Sequence, residues 1–242
     1  MGLHSRIPLV VEFNGLSGTG KTTTAKELQR ILTNYGIKCV INFEKKTLIR
    51  SRLANWISPS CWRLRRLLNK YIATFNNSAE KDSRNNKFLL FFRQYRDFNK
   101  SGHDVFLKDQ GLIQMLLSIA YLDIISNTTP IEEIASFLDR EISFLRIDCV
   151  TDTGITCDRL LQRSHAGSRL QEIAPEKLTE AMRVQAENLE KIRFSFDKLA
   201  LNNIHVIRID MRDSAEINAK KIFQAIQALQ CQPRAVIESQ IK

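Results

Sequence analysis

Glycine and proline are scarce in this chain, and it has no long hydrophobic run. The 242 residues include 9 glycines and 5 prolines, too few for a fibrous or low-complexity protein. No run approaches the roughly 18 apolar residues that cross a bilayer, and the first residues contain no segment typical of a signal peptide. We therefore expect a folded, soluble, cytoplasmic protein without a membrane partner, and this length fits one domain over residues 1–242.

Cysteines are few and scattered. None stands in a C-x-x-C pair, so the sequence predicts neither a zinc site nor a disulfide framework. We expect reduced thiols that mostly pack in the interior, at Cys39, Cys61, Cys149, Cys157 and Cys231.

Acidic residues are outnumbered by basic ones. The chain has 36 lysines and arginines against 26 aspartates and glutamates, a formal charge of +10. Such an excess favours polyanionic partners, which include nucleotides, nucleic acids and anionic membrane surfaces. The most basic segment, residues 63–70, has an amphipathic pattern, so it is either the solvated face of a helix or a surface that contacts phosphates. We favour the solvated face, because charge runs usually lie there.

Apolar runs separated by amphipathic stretches predict a parallel sheet. The runs of strand character cover residues 8–13, 38–43, 104–108, 142–150 and 203–211. The stretches between them have helical spacing, which implies β-α-β units with right-handed crossovers. We therefore expect an α/β fold in which helices flank a five-stranded parallel sheet.

Helical patterns locate the other expected elements. Residues 53–100 read as two helical segments separated by the polar, asparagine-rich 76–86, and they would form an insertion. Further helices are expected over 112–125, after Pro130, and over 175–200.

One short stretch has the spacing of a phosphate-binding loop. Residues 15–22 read GLSGTGKT, which fits G-x-x-x-x-G-K-[S/T], and they lie between an expected strand and an expected helix. Glycines permit positive φ and bring backbone N–H groups against phosphate oxygens, and the helix adds its positive dipole end. The lysine can reach the β and γ phosphates, and the threonine hydroxyl can bind Mg²⁺. The residues predicted to bind the nucleotide are Gly15, Ser17, Gly18, Thr19, Gly20, Lys21, Thr22 and Thr23.

A second stretch holds arginines around a small loop. Residues 157–171 read CDRLLQRSHAGSRLQ. Arg159 and Arg163 lie four apart on one helical face, and Arg169 would return from the loop toward them. Phosphoryl transfer needs positive groups that converge on the moving phosphoryl after the substrates bind, and such a loop supplies them. The alternative is an ordinary charged helix end. No N-K-x-D tetrapeptide occurs, which argues against a GTPase.

These motifs resemble those of the nucleoside monophosphate kinase group, most closely thymidylate kinases and next deoxynucleoside kinases. The resemblance rests on GLSGTGKTT, on FLKDQG after the third strand, and on DRLLQRSHAGSR. It implies a P-loop kinase fold with three α/β/α layers, a helical substrate-binding insertion over residues 53–100 and a short arginine-bearing lid over 159–170. It also implies ATP and Mg²⁺ as cofactors, and a homodimer, because thymidylate kinases are commonly dimers.

The same resemblance implies roles for individual side chains. The catalytic set would be Lys21, Asp109, Arg163 and Arg169. Arg159 would lie near the adenine or the phosphates of ATP. Asp109 would hold Mg²⁺ together with Thr22, or accept a proton; alternatively, Asp109 caps the helix that follows it.

The acceptor side departs from the family pattern. Gln110 stands where the family commonly has an arginine, and residues 42–47, NFEKKT, lack the usual Glu-Pro. A nucleoside monophosphate presents an anionic oxygen, so arginines suffice, whereas a hydroxyl acceptor requires a carboxylate base. Glu44 stands where deoxynucleoside kinases keep that base, or it is a surface acid paired with a neighbouring lysine.

Arginines and aromatic residues precede the third strand, in the stretch FLLFFRQYRDF. By resemblance, Arg93 and Arg96 would contact the acceptor. Phe92 or Tyr95 could stack on its base, although aromatic residues at helical spacing are more often core. We expect phosphoryl transfer from ATP to a nucleoside monophosphate. The alternatives are a nucleoside or other small hydroxyl acceptor, and a non-kinase P-loop protein that regulates or binds nucleic acid.

Overall fold

The structure is a computed structural model that describes residues 8–41, 58–75, 79–162 and 169–230. Its strands and helices are, in chain order, β1 (Leu9–Asn14), α1 (Lys21–Asn34), β2 (Cys39–Ile41), α2 (Pro59–Ile72), α3 (Ala79–Asp97), β3 (Val105–Lys108), α4 (Leu112–Ala120), α5 (Thr129–Glu141), β4 (Phe144–Val150), α6 (Thr153–Leu161), α7 (Pro175–Asp197), β5 (Ile204–Asp210) and α8 (Ala215–Gln230). Short 3₁₀ turns cover Phe98–Lys100 and Arg169–Glu172.

The five strands form one parallel sheet in the order β2-β3-β1-β4-β5. At its centre, Val11 of β1 pairs with Leu107 of β3 and with Leu145 of β4. The expected α/β fold with five parallel strands is therefore confirmed. Strands β2 and β3 lie on one side of β1 and strands β4 and β5 on the other, so the carboxyl end of β1 lies at the point where the strand order reverses. Ligands of open α/β sheets bind at this place.

The two faces of the sheet pack against different helices. Leu9, Val11 and Phe13 of β1 belong to a buried cluster with residues of α1 and α8. Val10, on the opposite face, belongs to a larger cluster with residues of α2, α3, α4, α5 and α7. This second face turns polar toward the carboxyl ends of the strands, where Glu12 and then Asn14 follow Val10 and are buried.

Several element boundaries differ from the expectation. Helix α3 begins at Ala79, inside the asparagine-rich stretch that was expected to separate two helices. Asn85 is buried there and donates a hydrogen bond of 2.9 Å to Asn69 of α2, so tertiary contacts outweigh the weak helix propensity of asparagine. Helix α4 ends at Ala120, five residues before the expected end at Ile125, because Tyr121 takes a left-handed φ of 51°.

Helix α8 has no counterpart in the expected elements. Its apolar residues recur at helical spacing, at Ala219, Ile222, Phe223 and Ile226, and all four are buried. Ser214 accepts a hydrogen bond of 3.2 Å from the N–H of Ile217 and so caps the helix. Both signals are present in the sequence, and periodicity could have identified this helix.

The basic segment of α2 contacts its own fold. Lys70 pairs with Glu133 of α5 at 2.7 Å, Arg65 donates to Asn86 of α3 at 3.0 Å, and the Arg63 guanidinium lies 5.8 Å from the ring centre of Phe137. These contacts agree with a solvated helix face. Among the described residues, no helix is long and apolar enough to span a membrane.

Candidate active site

The loop between β1 and α1 has the backbone shape of an anion cradle. Gly18 and Gly20 have φ values of 94° and 93°, in the left-handed region that favours glycine. A β-carbon at Gly18 would lie 2.7 Å from the carbonyl oxygen of Thr156 in α6, so the close approach of α6 also requires glycine. Helix α1 begins directly after Gly20 and directs its free N–H groups and its positive dipole end into the loop.

Lys21 lies inside the curve of this loop. Its side chain is buried, and Nζ donates hydrogen bonds to the carbonyl oxygens of Gly15 and Leu16, at 2.8 and 2.7 Å. Nζ also lies 3.3 Å from Oγ1 of Thr19, which itself donates to the Leu16 oxygen at 3.0 Å. The ammonium is thus held at the centre of the cradle, where it can exchange these oxygens for those of a phosphate.

Thr22 and Asp109 meet at the rim of the loop. The Thr22 hydroxyl donates a hydrogen bond of 3.0 Å to Oδ2 of Asp109. Asp109 directly follows β3, the neighbour of β1, so the two carboxyl ends bring the side chains together. This neighbouring hydroxyl and carboxylate both offer oxygen atoms, which are the ligands that Mg²⁺ prefers. The side chains of Thr22 and Thr23 are exposed beside the loop, and Ser17 is half-buried.

Arg169 packs against the end of helix α4. Its guanidinium lies 3.8 Å from the ring centre of Tyr121, and Nη2 donates to the carbonyl and the hydroxyl of Ser118, both at 3.2 Å. Arg84 of α3 also donates to the Ser118 carbonyl, and its guanidinium lies 6.0 Å from the Tyr121 ring centre. Two arginines from distant segments therefore meet at one tyrosine. Sequence reasoning assigned no role to Arg84 or to Tyr121.

The other expected arginines lie apart from this pair. Arg159 is exposed in the last turn of α6. Nη2 of Arg93 lies 3.9 Å from Oδ2 of Asp97, and Arg96 donates to the Ser58 hydroxyl at 3.2 Å. Arg163 and half of the expected lid, residues 163–168, lie outside the described residues. Glu44 lies outside them as well.

Phe92 and Tyr95 are core residues, as aromatic residues at helical spacing usually are, and neither is exposed enough to stack on a base. Their exposed fractions are 0% and 3%. Phe92 packs on Phe137, with ring centres 5.7 Å apart, and Tyr95 packs edge-on against Phe144 at 5.7 Å. Both rings face the core because they lie on the apolar side of α3, which covers the sheet.

A known structure shares this architecture. Shikimate kinase from Acinetobacter baumannii in complex with shikimate aligns over 94% of this chain and 97% of its own, with a TM-score of 0.51 and 15% sequence identity. The chain has a P-loop kinase fold. An identity this low shows the fold alone, and it lends no support to a thymidylate kinase in particular. No protein-family model matches the sequence, and no curated protein sequence matches it.

A buried carboxylate lies beneath the Asp109 turn of this P-loop kinase fold. Oε1 of Glu12 accepts a hydrogen bond of 2.6 Å from the N–H of Ile113, and Oε2 accepts one of 2.9 Å from the Tyr95 hydroxyl. Burial raises the pKa of Glu12 to about 7, although these hydrogen bonds and the charge of Arg146 lower it. Sequence reasoning missed Glu12; its signal is an acid within the otherwise apolar VVEF.

Lys108 is a second buried ionisable residue next to the Asp109 turn. It follows the apolar run VFL in β3, and its ammonium lies 3.8 Å from the ring centre of Phe91. Burial lowers the pKa of Lys108 to about 8, against the charge of Asp109, which raises it. The Lys108 ammonium therefore loses its proton more readily than it would in water.

Polar contacts also fix the point where β1 enters the loop. Asn14 donates to Asp148 of β4 at 2.8 Å, and Arg193 of α7 donates to Oδ1 of Asn14 at 3.1 Å and to the carbonyl of Cys149 at 3.2 Å. Gln114 of α4 accepts from the N–H of Gly15 at 3.3 Å. The loop is thus anchored on β4, α7 and α4 immediately before its glycines.

Proposed function

We propose that this protein is an ATP- and Mg²⁺-dependent kinase of a small molecule. The observation that carries the proposal is the hydrogen bond between Thr22 and Asp109 beside the buried Lys21. The site therefore combines a phosphate cradle, a cation inside it and a pair of metal-type oxygens at its rim. These are the groups that phosphoryl transfer from ATP uses, because its catalysis consists mainly of positioning and charge neutralisation.

The residues of the loop fit the cofactors. The backbone N–H groups of residues 15–22 and the ammonium of Lys21 would bind the phosphates of ATP, and Thr22 and Asp109 would hold Mg²⁺. When bound, the metal would neutralise charge on the β and γ phosphates. Arg159, at the end of α6 near the loop, would contact the nucleotide from the side of the lid.

For the acceptor, we propose a nucleoside monophosphate. Arg169 and Arg84 meet at Tyr121, and arginines of this kind bind an anionic acceptor without a general base. Arg93 and Arg96 remain candidate acceptor contacts from the sequence, and Arg163 remains a candidate catalytic residue that would neutralise charge on the transferred group. The thymidylate kinase-like specificity belongs to this proposal, as does a single domain over residues 1–242 with an insertion over 53–100 and a lid over 159–170.

A small hydroxyl compound is the second candidate acceptor. Asp109 is a carboxylate at the carboxyl end of a strand, so it could accept a hydroxyl proton. Glu44 is the other candidate base. The neighbour of known structure was solved with shikimate, which makes shikimate a suitable member of a test panel.

The test is Mg²⁺-dependent release of ADP from ATP with a panel of nucleoside monophosphates, nucleosides and hydroxyl compounds, including shikimate. Lys21→Ala should abolish the release, and Lys220→Ala, a surface lysine on α8 paired with Glu216, should leave it unchanged. Release driven by one monophosphate would support the proposal and name the acceptor. Release driven only by a hydroxyl compound would favour the second candidate. ATP binding without release across the panel would contradict a kinase.

A further inference from the structure

A carboxylate on the central strand caps a helix to which it does not belong. Glu12 of β1 is fully buried. It accepts a hydrogen bond of 2.6 Å from the backbone N–H of Ile113, the second residue of α4. Gly111, which precedes α4, has no side chain to cap this group. Because the first N–H groups of a helix lack partners within it, Glu12 supplies acceptors that the local sequence does not.

Gly111 leaves room for this contact. A β-carbon at Gly111 would overlap the carboxyl group of Glu12 and the hydroxyl of Tyr95. The φ of Gly111 is −108°, which other residues also adopt, so the close approach and not the backbone angle requires glycine. The turn between β3 and α4 therefore closes directly over the Glu12 carboxylate.

Asp109 lies in the short turn between β3 and α4, and the structure holds both ends of this turn in place. On one side, β3 ends at Lys108, whose place in the sheet is set by pairing with Glu12 of β1. On the other side, α4 begins at Leu112, and Glu12 accepts a hydrogen bond from the N–H of Ile113, the next residue. Only the short turn 109–111 separates the two points, so the place of the Asp109 carboxylate beside Thr22 depends on both.

We propose that Glu12 is a positioning residue for the metal–nucleotide site. By holding the start of α4, it keeps the Asp109 carboxylate against Thr22, and it thereby sets how much Mg²⁺ strengthens the binding of ATP. Glu12 itself touches neither nucleotide nor metal. The inference rests on the proposed function, because it takes Thr22 and Asp109 as the metal ligands.

The charged neighbours of Glu12 have other principal partners. In the sheet, Glu12 pairs with Lys108 on one side and with Arg146 on the other. Lys108 lies over the Phe91 ring, and Arg146 donates to Asp148 at 2.9 Å. The close hydrogen bonds of Glu12 go to the start of α4 and to Tyr95 of α3. A change at Glu12 therefore acts first on the turn that carries Asp109.

The experiment measures ATP affinity by isothermal titration calorimetry, once with Mg²⁺ and once with EDTA. The dissociation constant in EDTA divided by that in Mg²⁺ gives the factor by which Mg²⁺ strengthens ATP binding. Measuring this ratio requires no turnover. Asp109→Asn defines the ratio that remains when the ligand is lost. In Glu12→Leu, which keeps the volume but offers no acceptor, the ratio should fall about tenfold toward that value, the usual effect of removing a group that orients a metal ligand. In Glu12→Gln, whose amide oxygen can still accept from Ile113, the ratio should stay within about twofold of the wild type.

A matched control separates positioning from loss of stability. Asp139 of α5 also accepts backbone hydrogen bonds, from Asn202 and Asn203 before β5, at the opposite end of the sheet. Asp139→Leu should lower the unfolding temperature, as Glu12→Leu does, and should leave the ratio unchanged. EDTA affinities should be equal in all of these variants, because the phosphate loop itself is intact.

The outcomes are distinguishable. A wild-type ratio in folded Glu12→Leu overturns the positioning role and leaves the proposed function intact. If the wild type binds ATP equally with Mg²⁺ and with EDTA, the proposed metal site fails, and the positioning role falls with it. If Glu12→Leu does not fold, Tyr95→Phe decides, because it removes one hydrogen bond of Glu12 at nearly constant volume. A fall in the ratio of about threefold supports the role, and an unchanged ratio overturns it.

Discussion

Thr22 donates a hydrogen bond of 3.0 Å to Asp109, which lies 87 positions further along the chain. The bond joins the start of α1 to the end of β3, and it exists because β1 and β3 are neighbours in the sheet. Neither residue is close to the other in sequence. Their contact places a carboxylate at the rim of the phosphate loop.

Removing the Thr22 hydroxyl should weaken the response to Mg²⁺. In Thr22→Val, which has nearly the same shape, we expect the Mg²⁺ concentration for half-maximal ADP release to rise about tenfold, because one oxygen ligand is lost. A magnesium titration of turnover checks this. Thr33→Val, at the far end of α1, is the control and should behave as the wild type. Equal midpoints for the two variants would contradict a metal role for Thr22.

Gly18→Ala should destabilise the protein more than an ordinary glycine substitution. The new β-carbon would lie 2.7 Å from the Thr156 carbonyl oxygen, and φ is 94°. At Gly36, φ is 68° but no atom lies within 4 Å of that position, so Gly36→Ala measures the cost of the left-handed backbone alone, about 1 kcal/mol. Urea unfolding should show a clearly larger loss for Gly18→Ala. Equal losses of unfolding free energy would mean that α6 moves away from the new β-carbon at no energetic cost.

Glu12 should make stability depend on pH. Burial raises its pKa from 4.5 to about 7, so the folded state binds the proton more tightly than the unfolded state. The stabilising contribution is therefore complete below the unfolded pKa, near 4.5, and is lost as the pH rises through about 7. We expect the free energy of unfolding to fall by up to about 3 kcal/mol across this window on account of Glu12.

Urea unfolding at several pH values between 4.5 and 8 measures this fall. Glu12→Gln carries no titratable group at this position, so the fall should be smaller in that variant by the contribution of Glu12. Groups that do not interact with Glu12 act equally in both proteins; Lys108, whose pKa the charge of Glu12 raises, titrates only at the upper end of this range. Parallel profiles for wild type and variant would show that the Glu12 proton is not linked to folding.

Replacing Arg169 by lysine should affect the acceptor and spare ATP. Lysine keeps the charge but lacks the planar group that stacks on Tyr121 and donates twice to Ser118. We expect acceptor-dependent ADP release to fall about tenfold, while ATP affinity by calorimetry stays constant. Arg183→Lys is the control, since Arg183 is exposed on α7 and pairs with Glu180. Equal activity of the two variants would remove Arg169 from the acceptor site.

The parts of this molecule that depend on neighbouring residues in the chain could be predicted from the sequence. The loop from Gly15 to Thr22 is recognisable because its glycines, lysine and threonine act over eight consecutive positions. The strands were located to within a few residues, because a buried parallel strand is an apolar run in any α/β protein. Even the place of Asp109, at the carboxyl end of a strand, followed from its sequence neighbours.

The contacts that join distant segments could not be predicted in this way. For Phe92 and Tyr95 the sequence left two options, a stacking surface or the core, and the packing of α3 on the sheet decides for the core. Arg169 meets Arg84 at Tyr121, a contact that the sequence did not indicate. The acid within VVEF marks Glu12 as unusual but does not indicate its role, because the N–H that it caps lies 101 positions away.

The sequence alone therefore determined the fold class and the phosphate loop, since both arise from periodicity and from the conformational freedom of glycine within short windows. Tertiary structure decided which side chains share a site: Thr22 with Asp109, Arg169 with Arg84, and Glu12 with the start of α4. The physical reason is that hydrogen bonds and charges act over a few ångströms in space, and the distance along the chain does not enter them.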